Sequence, residues 1–270
     1  MKSGNDLKNI QIRLLEMAKF VDKICKDNNI QYYLMYGTCL GAVRHKGFIP
    51  WDDDFDVGMT YENYLKFIKV MENQNSKYVI QTIDNDKEYN RLYAKVRDTA
   101  TTYIEKGNES RNMIQGLYID IFPIVGFPNN KFLQKKFKFE RAMAMYPYTN
   151  MIKNKVMNIV AKVIYFGRDF KKVSKKYQKR IVKYDVNSCD LVISICSNYY
   201  EKEIMNKEIY GNPSIVKFED TNFPIPEKND LYLTKIYGNY MEIPSKEQIE
   251  KMQHPVYKID LENSYKKYIK

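Results

Sequence analysis

The run Trp51-Asp52-Asp53-Asp54-Phe55-Asp56-Val57 constrains this chain more than any other stretch of its sequence. Side chains of a β-strand alternate between faces. In a strand here, Asp52, Asp54 and Asp56 project to one side, with the apolar Phe55 and Val57 on the other. Three carboxylates on one face repel one another, and a strand bears that badly unless a cation sits among them. Mg²⁺ suits the position, because it prefers oxygen ligands and commonly uses one or two carboxylates plus substrate phosphates. A second predicted strand, Gly116 to Phe122, carries Asp120 between Ile119 and Ile121 and on the face opposite to theirs. A carboxylate inside an apolar strand is costly unless paired or metal-linked. Beside the first strand, Asp120 completes a three-carboxylate cluster able to hold one or two metals against a phosphate.

Basic residues and a helix start are available around these carboxylates. Gly37-Thr38 turns the chain into a short helix that Thr38 can cap, ending near Arg44. The backbone N–H groups at such a start suit a phosphate. Arg44, His45 and Lys46 stand just before the acidic run as phosphate contacts. Lys95 and Arg97 alternate with Val96 in a short strand and are candidates for the same pocket. Histidine occurs only at 45 and 254, and the four cysteines form neither a CxxC pair nor a zinc spacing. A structural zinc site and a histidine-based triad are therefore not expected. The chemistry has to run on carboxylates and basic groups.

Apolar periodicity fills in the rest. Leu7, Ile10, Leu14, Met17, Val21 and Ile24 recur at helical steps and predict an opening amphipathic helix. Ile30–Met35 reads as a strand, and Gly47–Trp51 as a turn into the acidic strand, Asp52 to Met59. Thr60 caps a helix from Tyr61 to about Glu72. Short β stretches follow near Lys77–Thr82, Leu92–Arg97 and Thr101–Glu105, and Pro123 stops the strand that carries Asp120. Beyond a helical segment, Ser214–Phe218 is extended, Phe223–Pro226 is a proline-bounded loop and a helix lies near Lys228–Tyr237. The expectation is an α+β fold with a mixed β-sheet core and flanking helices. Its parts are a catalytic core over residues 1–128, a basic helical insertion over 129–184, and a C-terminal part, 185–270, that completes the catalytic domain.

The formal net charge of +11 is unevenly placed. Residues 131–180 hold 15 Lys and Arg against 2 Asp and Glu, a local +13, which leaves the remainder at −2. Basic character confined to one segment argues against a whole-protein nucleic-acid binder. Within that segment, Met151, Ile152, Val156, Ile159, Val160, Val163 and Ile164 are interleaved with lysines. The plain interpretation is a helix packed on the core with solvated lysines. The functional alternative is a peripheral surface for an anionic membrane or a lipid-linked glycan, with Lys171, Lys172, Lys175 and Lys176 as its contacts. No apolar run reaches the roughly 18–20 residues of a membrane span, and no signal-peptide core follows the first charges. The chain is expected in the cytoplasm, at the inner face of the membrane if it binds one.

The full run Tyr36 to Met59, with Gly37-Thr38, Arg44-His45-Lys46-Gly47 and the aspartates in order, resembles the signature of the LicD family of phosphocholine transferases, of nucleotidyltransferase-like fold. Fukutin-related ribitol-phosphate transferases are distantly similar. Gly116–Pro123 resembles that family's second acidic strand, and Phe218–Glu227 with Tyr232–Tyr240 resembles its C-terminal block, so the resemblance spans residues 30–260. It implies that Asp54 and Asp56 bind Mg²⁺ (or Mn²⁺), that Asp120 is the third acidic residue, and that Asp52 orients the metal site or acts as a base. It further implies transfer of phosphocholine from CDP-choline to a sugar hydroxyl of a teichoic acid, lipopolysaccharide or capsule precursor, releasing CMP. Another CDP-linked polyol phosphate, or nucleotidyl transfer from a triphosphate with pyrophosphate release, remains the alternative. A choline headgroup calls for an aromatic pocket, since a quaternary ammonium donates no hydrogen bonds. Asn239 stands where the family often has Asp, and the terminal basic-histidine region is reduced to His254. Both departures concern the acceptor side.

Overall fold

The computed structural model describes residues 4–148, 155–197, 199–252 and 254–269. Its opening helix α1 (Gly4–Asp27) buries Ile10, Leu14, Met17, Val21 and Ile24, the stripe predicted from the sequence. The next elements are β1 (Tyr33–Leu34), α2 (Tyr36–Arg44), β2 (Asp56–Thr60), α3 (Tyr61–Glu72), β3 (Tyr78–Gln81), β4 (Ala94–Asp98), β5 (Thr102–Glu105) and β6 (Tyr118–Phe127). Three helices follow: α4 (Lys131–Met145), α5 (Lys155–Tyr165) and α6 (Phe170–Ile181). The chain closes with β7 (Leu191–Ser194), β8 (Met205–Asn206), β9 (Ser214–Phe218), β10 (Thr221–Ile225), α7 (Asn229–Tyr237), α8 (Lys246–Met252) and β11 (Val256–Asp260).

The architecture is α+β. Among the described residues the main sheet runs β1-β2-β6-β4-β3, with β7 added to the far end of β6 and β8 beside β7. It is mixed: β2 and β6 are parallel, and the other pairs are antiparallel. The long β6 is the axis of the sheet. Its first half pairs with β2 and β4 and its second half with β7, so α4–α6 leave the sheet after β6 and the chain returns to it at β7. Two small hairpin-like sheets, β9–β10 and β5–β11, bring the C-terminal segments back onto the core.

Four local expectations change. The strand over Ile30–Met35 shrinks to Tyr33–Leu34. The acidic strand begins at Asp56 rather than Asp52, because Asp52 is still held in the preceding turn, its N–H donating to Ile49 O at 3.0 Å. The segment Phe223–Pro226 is mostly strand, with Phe223, Pro224 and Ile225 paired to Val216, Ile215 and Ser214. Pro123 does not stop β6, which continues to Phe127. Ala94 is the last β4 partner, opposite Ile121, and Ser194 the first β7 partner, opposite Ile124, so the missing N–H of Pro123 falls where one neighbour gives way to the other. Its carbonyl still accepts from Ile195 N–H at 3.4 Å. By contrast Thr60 caps α3 as expected, accepting from Asn63 N–H. Met151 and Ile152 of the basic segment lie outside the described residues.

Candidate active site

The site is built where α2, β2, β6 and β4 meet. Tyr36 opens α2 at φ +45°, in the left-handed region that non-glycine residues seldom occupy. Tyr232 Oη takes its amide proton at 3.2 Å, and its ring meets Phe122 edge-on with centroids 5.4 Å apart. Gly37 follows because Asp52 needs the space: a Cβ at 37 would stand 2.7 Å from Asp52 Oδ2. A carboxylate therefore lies against the helix start expected to receive a phosphate. Thr38 is not the helix cap. Met35 holds that position without a side-chain bond, and Thr38 Oγ1 accepts from the Asp56 N–H at 2.8 Å, tying α2 to the first residue of β2.

Parallel pairing of β2 with β6 sets Asp56 beside Asp120, and Asp120 N–H donates to Phe55 O at 3.0 Å. Phe55 itself turns into an aromatic cluster with Phe48, Phe218 and Phe223. Alternation thus holds through the unpaired Asp52–Phe55 stretch. Burial, then the charges of Asp52 and Asp120, push the Asp54 carboxyl well above the usual carboxylate range. Burial and then Asp54, Asp120 and Asp52 do the same to Asp56. Asp53 also borders the cavity, and it accepts from the Tyr103 hydroxyl. His254 comes from the far end of the chain, its Nδ1 3.5 Å from Asp53 Oδ1 and 3.7 Å from Asp54 Oδ2.

β4 lies antiparallel to β6 with Lys95 opposite Asp120. Lys95 Nζ sits 3.0 Å from Asp120 Oδ1, 3.8 Å from Glu105 Oε2 and 3.1 Å from the centre of the Tyr118 ring. Burial drives both partners of the Lys95–Asp120 pair toward neutrality, lowering the lysine and raising the aspartate, while each charge opposes the other's shift. Burial alone would raise Glu105 as well, but Lys95, Arg97 and Arg91 outweigh it and hold that carboxyl at about 2. Arg97 shares Lys95's face yet is committed inside the fold. Its Nε donates to Gln81 Oε1 at 2.7 Å and its Nη1 to Gly116 O at 2.8 Å.

These groups surround a cavity of about 920 Å³. Of the residues expected from sequence, Gly37, Arg44, Asp52, Asp54, Asp56, Lys95 and Asp120 line it, whereas Thr38, His45 and Arg97 do not. Arg44 reaches across to donate to Tyr240 O at 2.6 Å and Glu242 O at 3.1 Å, so it also fastens the C-terminal block over the opening. His45 packs edge-on against Trp51. Residues not singled out beforehand include Arg91, Glu105, Lys202 and the rings of Tyr36, Tyr93, Tyr199 and Tyr237. Glu105 was within reach of the pattern, since Tyr103 and Glu105 share one face of β5 and both meet the site. Nothing local marks Arg91 or Lys202.

Hard oxygen donors dominate the set, which fits a divalent cation such as Mg²⁺. Among the described residues no three carboxylate, imidazole or thiolate side chains close around one point. Asp54 and Asp56, two carboxylates on one side of the cavity with Asp54 raising Asp56, fit the open type of Mg²⁺ site that leaves room for substrate phosphate.

Residues 29–155 match the family described as LicD/FKTN/FKRP, nucleotidyltransferase domain. The chain carries a LicD-family domain. That match covers α2 to β6 and with them every carboxylate of the cluster. The lipopolysaccharide cholinephosphotransferase LicD of Haemophilus influenzae is 28% identical over 257 residues, spanning 89% of this chain and 93% of that protein. Mannosyltransferase regulator 4 of Saccharomyces cerevisiae is 32% identical over 126 residues, 43% of this chain and 10% of that protein. The ribitol 5-phosphate transferase FKRP of Homo sapiens is 40% identical over 50 residues, 18% of this chain and 10% of that protein. The similarity to the bacterial LicD extends past the family domain, into the segments that supply Tyr199, Lys202 and Tyr237 to the cavity.

Proposed function

We propose that this chain is a LicD-type phosphotransferase that moves phosphocholine from CDP-choline to a sugar hydroxyl of a cell-surface glycan precursor and releases CMP. The observation that carries the reading is the convergence of Asp52, Asp54, Asp56 and Asp120 with Lys95 in one cavity, in a chain similar over 89% of its length to a cholinephosphotransferase. Asp54 and Asp56 would hold the divalent cation. When bound, it supplies charge neutralisation for the donor's diphosphate.

The chain's own groups account for the remaining needs of the reaction. Lys95, kept beside Asp120 by the β4–β6 register, and Arg91 offer positive charge to the phosphates. In the transfer, the sugar oxygen forms a bond to the phosphorus carrying choline, and the bond from that phosphorus to the CMP oxygen breaks. The hydroxyl proton passes to a carboxylate of the cluster. The headgroup's quaternary ammonium has aromatic faces available in Tyr36, Tyr93, Phe122, Tyr199 and Tyr237. Similarity to a ribitol 5-phosphate transferase over 50 residues supports a second donor, CDP-ribitol, with the same bond exchange.

The test is CMP formation from CDP-choline, CDP-ribitol and CDP-glycerol, with Mg²⁺ and a crude glycan acceptor, in wild type and Asp56→Asn. CMP from CDP-choline alone, lost in the variant, supports the proposal. CMP chiefly from CDP-ribitol moves the case to the second donor, and pyrophosphate from CTP with no CMP from any donor overturns both.

A further inference from the structure

Helix α5 presents a row of large apolar side chains to solvent. Val156, Ile159, Val163 and Phe166, spaced by three, four and three residues, remain 69%, 62%, 69% and 87% exposed. Such spacing aligns them along one side of a helix and its continuation. The other side is fixed. Ala161 is fully buried, Tyr165 Oη donates to Met143 O at 2.6 Å, and Tyr146 Oη donates to Asn158 Oδ1 at 3.3 Å. The stripe is thus held outward by contacts made on the opposite side.

Charge around the stripe is mainly basic, with Asp169, the cap of α6, the acidic residue lining the adjoining groove. Lys155 and Lys162 are exposed on α5 itself. Arg168, Lys172 and Lys176 border an adjoining groove of about 510 Å³ floored by Ile164, Val173 and Tyr177. Four lysines of the first turns of α6 divide into two sets. Lys171 donates to Asp86 O and Lys175 pairs with Asp84, so these two are tied to the core, while Lys172 and Lys176 stay exposed on the groove.

We propose that the α5 stripe and the Arg168–Lys172–Lys176 groove form a docking surface for an anionic phospholipid bilayer. The apolar row would enter the interfacial region while the basic groups meet lipid phosphates. Charge selects this occupant. A second copy would set one +13 segment against another, whereas an acidic bilayer neutralises it. The helix that carries the stripe is tied to the candidate site from its other side: Met145, the last residue of α4, lines the cavity, and its neighbour Tyr146 is bonded to Asn158. If the proposed function holds, docking brings the cavity to a lipid-linked acceptor; the docking itself does not depend on that function.

The experiment is flotation of the purified full chain with vesicles of phosphatidylcholine alone, or with about a third phosphatidylglycerol. Wild type should float with the anionic vesicles and not with the neutral ones. Val163→Ser with Phe166→Ser should weaken binding about tenfold or more. Lys172→Gln with Lys176→Gln should weaken it roughly fivefold for each residue changed. All these positions are exposed, so unchanged melting temperatures are expected and separate lost docking from lost folding. Equal flotation with both vesicle types, no flotation at all, or wild-type binding by the variants overturns the proposal. So does concentration-dependent self-association that the serine variants abolish, since the stripe would then be an interface between copies. CMP release from soluble substrates is a separate readout, so failure of docking and failure of the proposed function are distinguishable.

Discussion

Replacing Glu203 with glutamine should stabilise the protein at pH 8 and do much less at pH 5. Glu203 is fully buried, and neither carboxylate oxygen has a hydrogen-bond partner among the described residues. Burial raises its pKa from 4.5 to about 7, and the opposing pull of Ser197, Tyr36 and Arg141 does not cancel that. Arg141 is nearby but committed, donating to Ile195 O at 2.8 Å and to Ser197 O at 2.5 Å. The folded protein therefore holds a proton that the unfolded chain releases above pH 4.5. The stability due to this group is complete below pH 4.5 and is lost as pH rises through about 7. The gap between those two values corresponds to about 3 kcal/mol above pH 7. At pH 5 only about 1 kcal/mol of that penalty has developed. Glutamine keeps the shape and never ionises. Urea denaturation of both proteins at pH 5 and pH 8 measures the effect, because other titrations cancel in the difference. The variant's advantage should be about 2 kcal/mol larger at pH 8. An advantage identical at the two pH values, or a variant less stable at pH 8, would refute the reasoning.

Three more outcomes are expected at the candidate site. Asp56→Asn should abolish CMP release and also the Mg²⁺-dependent rise in melting temperature; at about tenfold excess of metal over its Kd, wild type should gain about 3 °C in differential scanning fluorimetry. Thr38→Val removes the acceptor for the buried Asp56 N–H and should cost about 1–3 kcal/mol by urea denaturation, together with activity, since it loosens the join between α2 and β2. Gly37→Ala should leave the melting temperature within a few degrees but lower kcat about tenfold or more, because its Cβ would displace Asp52. An active, wild-type-like Gly37→Ala enzyme would show that the position of Asp52 is unimportant.

Much of this arrangement could be read in the sequence because it depends on local periodicity. Alternation put Asp52, Asp54 and Asp56 on one side and Phe55 on the other, and this survives although the strand itself starts only at Asp56. Thr60, with hydrophobic residues in helical phase after it, gave α3. Tertiary pairing was beyond such patterns. Lys95 and Arg97 look equivalent in sequence, two basic residues on one face of a strand. Register gives Lys95 to Asp120, while Gln81 and the Gly116 carbonyl take Arg97 out of the cavity. Thr38 has the chemistry of a helix cap, and only the approach of β2 shows that its hydroxyl serves Asp56 instead. His254 is more than 190 residues from the carboxylates it approaches, and β11 pairing with β5 is what returns it.

The balance of charge in the cavity leads to one more expectation. Asp52, Asp53, Asp54, Asp56, Glu105, Asp120 and Glu242 line it, against Arg44, Arg91, Lys95 and Lys202: seven acidic groups to four basic. Arg44 and Lys202 already donate to main-chain carbonyls, and Lys95 is paired with Asp120. A nucleoside diphosphate donor adds further negative charge, so the protein alone should repel the ligand it is proposed to bind. A divalent cation at Asp54 and Asp56 reverses that sign locally. Binding of CDP-choline, followed by calorimetry, should therefore strengthen at least about tenfold when Mg²⁺ replaces EDTA. In Asp54→Asn the gain should shrink, with donor binding in EDTA equal to or tighter than wild type. Tight donor binding in EDTA that Mg²⁺ leaves unchanged would mean that the basic groups suffice, and that the aspartates serve the acceptor rather than a metal.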